Sequence, residues 1–144
     1  MIDYFVGEFE FLSNYCLLDI PIVIDGLVFD NAEAAYQAMK SLDEEVKSRF
    51  QEFSPYEAKK VGKTIQVREN WEDIKVSMMK TVVRKKFIAN PHLGYKLKDT
   101  HPEMLIDSNW DNDRFWGVDI PNHVGENQLG KILMQIRSEL RAQE

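Results

Sequence analysis

IVIDGLVFDNAEAAYQAMKS, Ile22 to Ser41, changes periodicity partway through. Two short β-rich runs flank Asp25-Gly26, a pair that tolerates the positive φ values of a two-residue type I′ turn. Asp30 or Asn31 then supplies a helix N-cap, and the alanine-rich run to Ser41 reads as a short helix. A hairpin running straight into a helix predicts an α+β protein rather than a doubly wound sheet. On that helix Glu33, Gln37 and Lys40 fall within about 60° of one another. An ordinary surface face explains each of them. Glu33 closes a capping box if Asp30 is the cap, Gln37 suits any helix, and Lys40 answers the C-terminal dipole. The other reading is the lining of a site, and local sequence leaves both open.

Further along, Asp43 to about Gln51 reads as a second helix. SPYE, Ser54 to Glu57, starts a third with a capping box and Pro in the first turn, and Gly62 is its stop. Asn70 caps a long helix carrying Trp71, Ile74, Met78, Val82 and Phe87. Asn90-Pro91 ends that helix and starts another through Leu97. EMLID (103–107) and FWGVDI (115–120) read as short strands around SNWDNDR, and a last helix spans about Asn127 to Ala142 with Leu129, Ile132, Leu133, Ile136 and Leu140 as its stripe. The expected architecture is a compact, mostly helical α+β single domain, residues 1–144, with a few short strands.

The 144 residues are 44% hydrophobic, enough for a packed core. No apolar run is long enough to span a membrane, and the N-terminus carries Asp3 and Glu8 before any base, unlike a signal peptide. The lone Cys16 fits a reducing cytoplasmic setting. It reads as a small core residue rather than a nucleophile, having no histidine at recognisable spacing. A net charge of -6 argues against a protein that wraps phosphate backbones, though not against one that takes a single modified nucleotide into a pocket.

Metal chemistry finds little support. Asp107, Asn109, Asp111 and Asp113 alternate like the opening of a calcium loop, but Asn112 and Val118 stand where Gly and Glu are required. Asx-turn chemistry explains the loop better. His92, His101 and His123 are scattered. There is no G-x-S-x-G elbow, and Gly125–Gly130 lacks the lysine and preceding strand of a phosphate loop. Trp71, Trp110 and Trp116 are core residues or stacking platforms, and the Trp116-Gly117 pair would let a ligand approach the backbone closely.

FLSNY, DGLVFDNAEAAYQAMK, W-x(6)-M, KKFIANP, D-x-x-WG and G-x-N-x-LG-x-x-LM-x-x-R, in this order from about Phe11 to Arg137, resemble the NADAR, or YbiA-like, family. The resemblance implies that family's fold and an N-glycosidase. One branch of the family cleaves ribosylamino-pyrimidine phosphates of riboflavin synthesis. Another removes ADP-ribose from the amino group of guanine, and that substrate is the expectation here, as ADP-ribosylated nucleobase or nucleic acid. A non-catalytic module that binds ADP-ribose or a nucleotide is the remaining alternative. Position by position, the resemblance implies Glu33, Lys40 and Asp113 as catalytic. It implies Ser13, Asn14, Gln37, Trp71, Asp107, Trp116, Gly117, Asn127 and Gly130 as substrate-binding, with no metal and no cofactor. Where the family commonly carries Glu before the D-x-x-WG loop, this chain has Asp107, one methylene shorter.

The two family substrates share a bond from ribose C1 to an exocyclic amine. It breaks by direct hydrolysis, with a carboxylate activating water, or by ring opening and attack of a lysine amine to give a Schiff base. The expected assignment gives Lys40 the covalent role, Glu33 proton transfer and Asp113 orientation of ribose or water. Trp116 or Trp71 would stack on the base, and the Ser13-Asn14 turn would hold polar substrate groups.

Overall fold

A computed structural model describes residues 1–144. It is α+β and mostly helical, and the chain divides into two units, Asn14–Asn90 and Met1–Ser13 with Pro91–Glu144.

In the 14–90 unit, β1 (Ile22–Ile24) pairs antiparallel with β2 (Leu27–Phe29). Asp25 and Gly26 both take positive φ, as the type I′ turn demands. The chain then enters α1 (Ala32–Ala38), capped by Asn31, whose side chain accepts from the Ala34 amide at 2.7 Å. Asp30 is not the cap, so Glu33 closes no capping box. α1 also ends before the expected Ser41, because Lys40 N–H turns back to Gln37 C=O in a tight final turn. α2 (Glu44–Arg49) is capped by Asp43 and runs into a 3₁₀ turn, Phe50–Glu52. α3 (Pro55–Gly62) opens on the expected Ser54/Glu57 capping box. The long α4 (Trp71–Ala89) buries Met79 rather than Met78, with Trp71, Val82, Val83 and Phe87. α1 packs on α3, α4 and β2. Its alanines, 32, 34, 35 and 38, are all buried and let those neighbours approach closely. Cys16 is half-buried rather than in the core, its thiol turned to the Leu17 carbonyl.

In the other unit, α5 (Pro91–Asp99) packs on α6 (Gln128–Ala142). The expected strands shift. Leu105 makes only an isolated bridge to Ile2, and the pairing is parallel, β3 (Ser108–Asn109) with β4 (Val118–Asp119). Gly117 sets this register: a Cβ there would overlap the Asp107 carbonyl, which accepts from Val118 N–H at 2.9 Å. Arg137 of α6 ties down the end of α5, donating to Thr100 Oγ1 at 3.0 Å and to the Glu103 carbonyl at 2.8 Å. No helix is long and apolar enough to cross a membrane.

Gly130 has no room to spare. A Cβ on it would overlap the Leu105 backbone carbonyl and the Asn127 side chain. Gly130→Ala is therefore expected to cost about 1–3 kcal/mol of overpacking, a fall of roughly 3–10 °C in Tm for a chain of this size. An unchanged Tm in calorimetry would contradict this packing.

Candidate active site

α1 carries no solvated face. Glu33 and Gln37 are only 8% and 6% exposed, and every residue from Ala32 to Ala38 is buried. A buried carboxylate must be hydrogen-bonded or change its charge. Here Gln37 Nε2 donates to Glu33 Oε1 at 2.8 Å, across one helical turn. The backbone of Asn14 adds a brace, its carbonyl accepting from Glu33 N–H at 3.1 Å. The Asn14 side chain donates to Met79 Sδ at 3.4 Å, while its Oδ1 is buried with no hydrogen-bond partner. Such an acceptor suits a substrate O–H or N–H, since leaving it unmet costs about 1–3 kcal/mol.

Gln37 is held from the far side by α3. Its Oε1 has no hydrogen-bond partner and lies against Gly62, where a Cβ would overlap the amide. The Gly62 carbonyl in turn faces Lys40 Nζ at 3.5 Å. One glycine thus admits the amide and receives the amine. Burial pushes the Lys40 amine below the ordinary lysine range. The charge of Glu33 opposes this, while Lys63 and Lys75 reinforce it. A lysine so placed holds more of its amine neutral and nucleophilic near neutral pH. Glu33, Gln37 and Lys40 therefore form a row along α1 and just past its end, with Asn14 bonded to the Glu33 end of that row. A single carboxylate beside an ammonium-forming amine suits proton and carbonyl chemistry better than a cage for a hard cation.

Trp71 is also beside α1, but it is 5% exposed and packs on Tyr36 with centroids 5.2 Å apart. That is core packing, and it leaves little ring face for a base.

The remaining expected residues belong to the other unit, and most have work within it. Asp113 Oδ1 accepts from the amides of Phe115 and Trp116 at 3.0 and 2.9 Å, and Asn109 Oδ1 accepts from those of Asp111 and Asp113. This is Asx-turn chemistry, with one Asp113 oxygen committed to the loop. Trp116 is half-buried, edge-on to Phe115. The close approach at Gly117 is made by the Asp107 carbonyl, not left open for a ligand. Asn127 braces the chain by accepting from Asp107 N–H and donating to the Leu105 carbonyl, both at 2.9 Å. Ser13 caps the C-terminal end of a 3₁₀ helix, Gly7–Leu12, its N–H bonded to the Glu10 carbonyl.

Sequence reasoning missed two residues. Gly62 read only as a helix stop, and its contact with Gln37 has no local signal. Arg68 was not singled out at all, yet its N–H donates to the Lys40 carbonyl at 2.8 Å.

The chain matches the family model described as NADAR domain over residues 4–141. It is 34% identical over 123 residues to the N-glycosidase YbiA of Escherichia coli (strain K12), covering 83% of this chain and 76% of that one. A riboflavin biosynthesis protein of Vibrio vulnificus is 32% identical over 134 residues, 91% of this chain but 35% of that protein. The NMR structure of E. coli YbiA superposes with a TM-score of 0.84 at 30% identity, covering 99% of this chain and 88% of that one.

Proposed function

Because the chain belongs to the NADAR domain family, we propose that it is an N-glycosidase, a hydrolase cleaving the bond between ribose C1 and an exocyclic amine of a heterocycle. The observation that carries this is the acid–amide–amine row of buried Glu33 and Gln37 with half-buried Lys40, whose amine is biased toward its neutral form.

The ribosylamine opens to its C1 imine, and the Lys40 amine adds to C1. A proton from Glu33 passes to the heterocyclic nitrogen, the C1–N bond breaks, and a protonated Schiff base remains between Lys40 Nζ and C1. The Glu33 carboxylate then takes a proton from water as its oxygen adds to C1. Collapse of that adduct returns the amine and releases the sugar as its aldehyde. Gln37 fixes the Glu33 rotamer through both proton transfers, and Asn14 Oδ1 takes a sugar hydroxyl.

Similarity to a riboflavin biosynthesis protein favours a small ribosylamino-pyrimidine phosphate as substrate. ADP-ribose on guanine, the expectation from sequence, shares the reacting bond and is the second arm of the test. Purified protein is offered a ribosylamino-pyrimidine phosphate and an ADP-ribosylated guanine oligonucleotide, and release of ribose phosphate or ADP-ribose is followed. Release from either supports the N-glycosidase, and the faster substrate names the class. Binding of both without release would replace the enzyme by a reader domain.

Gly62→Ala probes the positioning directly. The added methyl displaces the Gln37 amide and with it the Glu33 carboxylate, lowering turnover about 10²-fold, the scale of a misplacement near 1 Å. Gly62→Ala combined with Gln37→Ala should recover the melting temperature but not the turnover. Recovery of both would leave Gln37 with a packing role alone.

A further inference from the structure

A cleft of about 780 Å³ begins one residue beyond Lys40, lined by Ser41, Leu42, Asp43, Gln66, Arg68 and Asn70 among others. Its far wall is not independent of the reacting amine. The Arg68 N–H donates to the Lys40 carbonyl at 2.8 Å, so the segment carrying Arg68 is pinned to the residue carrying the amine.

The Arg68 side chain is arranged in a particular way. Its Nε donates to Asn70 Oδ1 at 2.8 Å. Asn70 occupies the N-cap position of α4, yet its side chain makes no capping bond to that helix. The cap oxygen, which normally contributes about 1 kcal/mol to a helix, is spent instead on orienting a guanidinium. The two Nη nitrogens meet no protein acceptor, although two carboxylates line the same cleft. Asp43 Oδ1 accepts from the N–H groups of Glu45 and Val46, and Glu69 is exposed. A guanidinium held at Nε and open at both Nη groups presents the fork that binds a phosphate oxygen pair.

We propose that Arg68, clamped by Asn70, binds the phosphate ester of the ribosylamine substrate in the cleft beyond Lys40. This rests on the N-glycosidase reading and adds a subsite to it: sugar C1 at Lys40, phosphate at Arg68, with the backbone bond between them fixing the span.

The test compares one ribosylamino-pyrimidine in phosphorylated and dephosphorylated form, in wild-type protein, Arg68→Lys and Arg68→Ala, with calorimetric binding of ribose 5-phosphate as a readout independent of turnover. In wild type the phosphorylated form should be preferred in kcat/KM by about 10–10²-fold, the scale of a charge-assisted bidentate bond. Arg68→Ala should collapse that preference toward unity, mainly through KM, and abolish ribose 5-phosphate binding. Arg68→Lys should recover part of both. Equal losses on both substrates, or ribose 5-phosphate binding retained in Arg68→Ala, would overturn the assignment and leave Arg68 a structural tie. Cleavage of neither substrate by wild type sinks the N-glycosidase reading alone. The subsite is then decided by whether ribose 5-phosphate binds wild type and fails to bind Arg68→Ala.

Discussion

Lys40→Ala should lose about 10³-fold or more in kcat, with the protein still folded. The nucleophile of a covalent route cannot be replaced by water without giving up most of the acceleration it supplies. The side chain lies beyond the end of α1 and is only partly buried, so its removal opens no large core cavity. Lys40→Arg keeps the charge but offers no neutral amine, because guanidinium does not deprotonate in this range. It should be as inactive as the alanine variant. The pH profile carries a sign. Only the neutral amine attacks, so kcat/KM rises with pH through the Lys40 titration. Burial lowers that titration, so the rising limb should lie on the acid side of an ordinary lysine. Near-wild-type turnover in Lys40→Ala would leave direct hydrolysis, with Glu33 activating water.

Glu33→Gln should cost about 10²–10⁴-fold in kcat, the range of a lost general acid–base, while Tm changes little. The substitution is isosteric, and the new amide can turn its oxygen to the Gln37 Nε2 donor that the carboxylate now accepts at 2.8 Å. Ligand affinity, measured on an uncleaved analogue, should persist. This separates an enzyme from a binding module: a reader has no turnover to lose. A Glu33→Gln variant with wild-type kcat would move the proton-transfer role to another group.

How far the chain could be read depended on whether the cause was local. Asp25-Gly26 announces its turn because the positive φ values are a property of those residue types. Ser54-Pro55 announces α3 in the same way, through a capping box closed within one turn. The 115–120 strand is present in shortened form at Val118–Asp119, but its partner lies at Ser108–Asn109 rather than 103–107, because the register depends on the Gly117 backbone meeting the Asp107 carbonyl, ten residues away in sequence. The two readings of Glu33 were separable only by burial. That burial is tertiary: α1 packs on α3 and α4, and the missing Cβ of Gly62 admits the Gln37 amide that donates to Glu33. Family resemblance pointed to the Glu33–Lys40 face without this physical reason. It also pointed to Asn127 and Gly130, which the structure employs in bracing the Leu105–Asp107 segment. Trp71 reads as core on local grounds and as a platform only through the family resemblance, and Tyr36 packs against it in the structure.

The most direct measurement is reductive trapping. Borohydride is added during turnover of the ribosylamino-pyrimidine phosphate, and the protein is digested and mapped by mass spectrometry. The peptide carrying Lys40 should gain the mass of one reduced sugar phosphate, in step with loss of activity, and Lys40→Ala should gain nothing. Continued turnover with no adduct, or an adduct confined to Lys63 or Lys75, would contradict a covalent role for Lys40.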